Sequence, residues 1–242
     1  MRVRLIALFA AVFLVVGNVG GTGWVVVASY PAPAPNARGI CVGDVPYGTS
    51  ILCDGSPPRV YDLFRASEYI TLAVPQGAWG LVSGESDTIW VSNYNNSYIY
   101  KLTSTGSVLS SFRCPKAHPA DLSRWALYAA IPDENLAIEI TTTGSILSSF
   151  RGPGTRLTAI DACNITEAVL GDPATHKVYF SGYGTGYLDA PVAVCADRLA
   201  DGPPYVHILV VDSTTNYVYL FKWVGSEAVA PASFGRVKAL FK

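Results

Sequence analysis

Residues 103–115 read TSTGSVLSSFRCP and residues 141–153 read TTTGSILSSFRGP, the same phrase 38 positions apart with ten of thirteen residues identical. The register extends outwards without a gap, since IWVSNYNNSYIYKL (89–102) lies 38 residues before LYAAIPDENLAIEI (127–140). GDPATHKVYF (171–180) follows SNYNNSYIYK (92–101) by 79 residues, and the same turn and strand return 40 residues later within LVVDSTTNYVYLF (209–221). ILCDGSPPRVYDL (51–63) supplies an earlier copy about 39 residues upstream, so five copies recur at 38 to 41 residues. A repeat of this length is one supersecondary unit that buries its apolar faces only against its neighbours.

Each copy has a Pro- or Gly-rich lead-in, a short strand, an apolar strand, an Asn/Asp turn, a Tyr-bearing strand and a final strand after a Thr-Gly turn. Gly106, Gly144 and Gly225 fall where a hairpin needs positive φ. No window keeps a helical period, and second strands such as Leu209-Val210-Val211 are apolar on both faces, as in sheets covered on both sides. Four strands in about 40 residues describe the blade of a β-propeller. The expectation is an all-β propeller of four-stranded antiparallel blades with five recognisable repeats, either a five-bladed ring or an incomplete six-bladed one.

The pattern of an apolar-aromatic pair, an Asn/Asp turn, I/V-Y-x-L and then T-G-S-V/I-L-S-S-F before a proline resembles the six-bladed propellers of the NHL and streptogramin-lyase-like type. The resemblance spans about residues 22–234. The Gly-His and Trp-Asp marks of tryptophan-aspartate repeats are missing, as is the Gly-Gly mark of kelch blades. At the start, TGWVVVASYPAP (22–33) matches TGSVLSSFRCP (105–115), an outer strand with no blade of its own. Rings commonly close by building the last blade from both termini, and only GRVKALFK (235–242) remains after Phe234 for a sixth.

Arg2 and Arg4 precede an unbroken apolar run from Leu5 to Val16, the order of a secretory signal peptide. This run of 12 residues falls short of the about 20 that span a bilayer. Residues 1–20 are therefore read as a signal peptide, with cleavage between 17 and 28, and residues 22–242 as one propeller domain. The expected location is secreted or periplasmic, with membrane attachment only if the leader is kept as an anchor. A formal net charge of -1 without a long run of one sign argues against nucleic acid. Export makes five cysteines eligible for disulfides. Cys41 and Cys53, on neighbouring strands of one blade, are the candidate pair, with buried unbridged thiols as the alternative.

Propeller sites gather on the loops that lead into the innermost strands, which the ring brings together. Those positions here are Arg38 in NARGI, Trp79 in GAWGL, His118 in AHPADL, Arg156 in TRLTAI and Arg198 in ADRLA, candidates for an anion-accepting channel mouth. Loop aromatics such as Tyr94, Tyr183 and Tyr187 are candidate carbohydrate platforms, whereas Tyr100, Tyr179 and Tyr219 read as packing. The resemblance to streptogramin lyases implies elimination by His and Glu from adjacent blades, but none of the three histidines has a carboxylate placed to repeat that motif. Sugar-lactonase propellers imply a divalent cation, for which Asp121, Asp161 and Asp201 are the oxygen ligands on offer and calcium the matching ion. No Glu stands at the first blade's lead-in to complete that pattern. SGYGTGY (181–187) lacks the strand-to-helix elbow of a nucleophile and the helix of a phosphate cradle.

With no assembled set of acid, base and metal, the expected function is an exported, non-catalytic binding module without a cofactor, serving a protein, peptide or glycan partner. The alternative is a metal-dependent, calcium-type extracytoplasmic lactonase or lyase.

Overall fold

The computed structural model describes residues 23–43, 46–123, 127–164, 167–180, 184–197 and 207–224. Strand β1 (Gly23–Pro31) comes first in the chain and belongs to the last blade. The first blade is β2 (Ala37–Val42), β3 (Thr49–Cys53), β4 (Arg59–Asp62) and β5 (Tyr69–Thr71). The second is β6 (Ala78–Ser83), β7 (Thr88–Asn93), β8 (Tyr98–Thr103) and β9 (Val108–Arg113), and the third is β10 (Leu122–Ser123), β11 (Tyr128–Ile131), β12 (Leu136–Ile140) and β13 (Ile146–Arg151). The fourth is β14 (Ala159–Asn164), β15 (Glu167–Asp172), β16 (Lys177–Phe180) and β17 (Gly184–Tyr187). The fifth runs β18 (Pro191–Asp197), β19 (His207–Asp212), β20 (Tyr217–Val224) and then β1.

The protein is thus a five-bladed β-propeller of four-stranded antiparallel sheets. The orphan strand resolves the choice between five blades and six. β1 pairs with β20 from Gly23↔Val224 to Pro31↔Tyr217, with one bulge between Val26 and Ala28, and so completes the fifth blade from the opposite end of the chain. The innermost strands touch in sequence, β18 on β2, β2 on β6, β6 on β10, β10 on β14 and β14 on β18, which closes the ring.

Five apolar cores fill the spaces between neighbouring blades. Ile40 and Ile51 meet Ala193, Leu209 and Leu220 across the first and fifth blades. Leu52 and Val60 meet Leu81 and Val91, Trp90 and Ile99 meet Ala129 and Ile138, Ala130 and Ala137 meet Ile160 and Leu170, and Val178 and Phe180 meet Val210 and Phe221. Each blade therefore buries both faces, the physical reason its second strand is apolar throughout. Near the axis the backbones approach closely. A Cβ on Gly80 would lie 2.6 Å from the Ala120 carbonyl oxygen.

The repeat also has a polar stitch. The turn between the second and third strands carries a left-handed residue at Ser97, Asn135, His176 and Asn216, with φ between 50° and 62°. Each reaches the next blade's lead-in: Ser97 Oγ accepts from the His118 amide, Asn135 Oδ1 from Leu157, and Asn216 Oδ1 from Ala37, while His176 Nδ1 donates to the Asp189 carbonyl. In the first blade Asp54 Oδ1 accepts the Gly77 and Ala78 amides and fills the same role. The predicted hairpin glycines Gly106 and Gly144 have φ of +90° and +92°, while Gly225 lies outside the described residues.

Cys41 and Cys53 are not joined. Cys41 stands opposite Ser50 and Cys53 opposite Ala37, so three residues of strand, about 10 Å, separate the two along β3. Their side chains also enter different cores, Cys53 between the first and fifth blades and Cys41 between the first and second. A disulfide needs Cα atoms within about 7 Å and converging Cβ vectors.

Candidate functional site

The lead-in loops do gather side chains at one end of the ring, though not the set expected. Trp79, second residue of β6, sends its indole Nε1 to the Val192 carbonyl of β18 at 3.2 Å and so reaches past the first blade to the fifth. The Arg38 guanidinium of β2 lies 4.8 Å from the Trp79 ring. Burial lowers the Arg38 pKa, and the charge of Asp54 opposes that shift. Tyr94, from the turn after β7, packs against Trp79 with ring centroids 4.9 Å apart. On its other side it stacks on His118 at 4.7 Å and 21°. Asp133 ends the row, with Oδ2 2.6 Å from His118 Nδ1 and Oδ1 accepting from the Tyr94 hydroxyl at 3.4 Å.

Arg38, Trp79, Tyr94, His118 and Asp133 form one continuous row across three blades. Beside it, Lys116 pairs with Glu134 at 2.8 Å and borders a depression of about 270 Å³ lined also by Ser97, Arg113 and Cys114. The row carries both signs of charge, so it differs from the purely cationic mouth expected from three arginines. Arg156 does not join it. Its amide donates to Asp172 Oδ2 at 2.9 Å and its side chain is exposed. Arg198 and Tyr183 lie outside the described residues. Tyr187 is 67% exposed, with the Lys177 ammonium 5.8 Å from its ring, on the outermost strand of the fourth blade.

The sequence reading missed Asp133. Its only signal was position, within the same turn that provides Asn135 to the next blade, and nothing in spacing ties it to a histidine 15 residues earlier.

Asp121 and Asp161 occupy the axis. Asp121 is fully buried, and its Oδ2 accepts the Ile160 amide at 3.1 Å and the Val194 amide at 3.0 Å, which ties the third blade to the fourth and fifth. Asp161 Oδ1 accepts from Ser123 Oγ at 3.1 Å and its Oδ2 from the Ala196 amide at 2.7 Å. Burial, only partly countered by those amides, pushes the Asp121 carboxyl well above the usual carboxylate range, and Asp161 adds to the rise. Calcium takes six to eight oxygen ligands. Here three of the four carboxylate oxygens face hydrogen-bond donors, and no group of three metal-ligating side chains forms among the described residues. The two described carboxylates, so engaged, do not by themselves fit a calcium centre. Asp201 lies outside the described residues. His176 holds a turn, and His207 is buried in β19.

No family model and no curated protein matches the sequence. Solved structures of similar shape include the WD40 β-propeller domain of Doa1, 17% identical over 77% of this chain and 64% of that domain, with a TM-score of 0.49. A catalytically inactive virginiamycin B lyase from Staphylococcus aureus, crystallised with quinupristin, is 13% identical over 84% of this chain and all of that one, with a TM-score of 0.47. The chain spans just under two thirds of the Doa1 domain. The propeller assignment itself stands on the five blades.

Proposed function

We propose that this propeller is an exported, non-catalytic binding module that docks a protein or peptide on the row from Arg38 to Asp133. The supporting observation is the row itself. It joins three blades at the end where lead-in loops converge, and it mixes aromatic, cationic and anionic groups as interaction hot spots do. The half-buried rings of Trp79 and Tyr94 are packed against Arg38, each other and His118. A sugar ring needs an open aromatic face, so ring edges, the Asp133 carboxylate and the neighbouring Lys116–Glu134 pair favour polypeptide over glycan. Export rests on the leader sequence, and cleavage ahead of Gly23 would leave β1 whole, whereas cleavage after Ala28 would cut through its paired register.

The test compares proteins captured from the extracellular fraction by the wild-type chain and by Tyr94→Ala and His118→Asp variants. Specific partners should be lost from both variants while the circular dichroism spectrum stays unchanged. Retention of every wild-type partner by both would place the binding surface elsewhere. N-terminal sequencing of exported material should start at or before Gly23.

A further inference from the structure

Arg38 is the unpaired charge of the row. His118 and Asp133 hold each other, and beside them Lys116 holds Glu134. A guanidinium carries five N–H donors. Among the described residues that of Arg38 donates no hydrogen bond, and no carboxylate forms an ion pair with it. The charge of Asp54 reaches it through space, while Asp54 Oδ1 accepts the Gly77 and Ala78 amides. Arg38 also stands centrally. Its guanidinium lies over Trp79, which packs against the core between the first and fifth blades and against the core between the third and fourth, and so spans the mouth of the central axis. A Cβ on Gly39 would lie 2.6 Å from the Trp79 carbonyl oxygen, so the strands that carry the two residues touch there.

Within the docking reading above, on which this rests, we propose that Arg38 receives an aspartate or glutamate side chain of the docked polypeptide at the centre of the ring's end. The planar fork of a guanidinium matches the two oxygens of a carboxylate, and stacking on an aromatic ring orients the fork. Arg38 is half-buried, so its attraction for an anion is screened less than in open water. The negative groups Asp133 and Glu134 stand at the far end of the row, which places the partner's acid at the Arg38 end. A phosphate, with nearly two charges, suits clustered cations. Arg38 is a single one, since Arg156 does not join the row.

The test selects a phage-displayed library of random peptides on the full chain. Peptides whose capture Tyr94→Ala abolishes should share an Asp or Glu, and changing that residue to Asn or Gln in the synthetic peptide should weaken binding about 10- to 100-fold. Arg38→Gln should weaken the acidic peptide by a similar factor and leave the amide peptide unchanged, a coupling that a merely structural arginine would not produce. Arg38→Lys keeps the charge without the fork, and its loss should fall between the two. Should Arg38→Gln fail to fold, the two peptides compared on the wild-type chain and on Arg38→Lys decide alone. Tyr94-dependent peptides that tolerate loss of the acid, or that bind Arg38→Gln as well as wild type, overturn the proposal and leave the docking reading standing. A library that yields no Tyr94-dependent peptide overturns the docking reading, and the carboxylate with it.

Discussion

The second and third blades align without a gap, yet their parts have diverged at opposite rates. Across the second strand, turn and third strand, residues 89–102 against 127–140, none of 14 positions is identical, although most of the strand residues are buried. Across the next turn and the outermost strand, residues 103–115 against 141–153, ten of 13 are identical, although β9 and β13 are largely exposed. A core needs apolar volume and not particular residues. Trp90 and Ile99 on one side of the seam meet the small Ala129 on the other, so large and small have traded places between blades. A turn is less forgiving. Gly106 and Gly144 sit at positive φ, and Thr103 and Thr141 each accept the amide four residues on with a side-chain hydroxyl. Packing gives no reason for the identity of Leu109 with Leu147, which are 56% and 63% exposed.

The sharpest way to break this contrast is to show that an outer strand can matter more than a core. Removing residues 23–31 strips the fifth blade of β1 and opens the seam. The thermal midpoint should fall by about 10 °C or more, with loss of a single cooperative transition in calorimetry. Ile99→Ala, at a fully buried position, should cost about 2–5 kcal/mol by denaturant titration. Leu170, 7% exposed, offers the same comparison one seam further on.

Asp121 is the buried position where polarity, not volume, decides. Its folded pKa is raised, so the neutral acid is the favoured form. Its contribution to stability is full below the ordinary carboxyl value of 3.8 and is lost as pH rises toward the folded pKa. Asp121→Asn keeps the acceptor and the shape without the charge. Its stability relative to wild type should rise with pH above 3.8, by up to about 1.4 kcal/mol per pH unit, in urea titrations from acid to neutral pH. A flat difference would mean the carboxyl is ionised in the fold. The smallest effect belongs to the repeated phrase itself: Leu109→Ser with Leu147→Ser should change stability by no more than about 0.5 kcal/mol. A larger loss would show that the outer strands carry packing this structure does not reveal.

What the sequence disclosed follows the same division. The period, the four strands and the turn glycines were readable because each is local to one repeat. The matching of residues 22–33 to an outer strand even pointed at how the ring ends. Contacts between blades were not readable, because they pair residues whose separation no spacing rule constrains. Cys41 was matched to Cys53, its neighbour within a blade, yet their side chains enter cores on opposite faces of that blade. Arg38, Trp79 and His118 were picked for their loops and do meet, but the connection runs through Tyr94 and ends on Asp133. Asp121, Asp161 and Asp201 were on offer as cation ligands only under the alternative, lactonase-like reading; the oxygens of Asp121 and Asp161 accept strand amides and a serine hydroxyl.

The pairing of β1 with β20 also sets an order of events. Among the described strands a ribosome delivers β1 first and β20, which receives it, last, so the first four blades can form on a growing chain while the fifth waits. Completion must await β20. Until β20 emerges, β1 has no partner within its own blade, and the ring stays open at that seam.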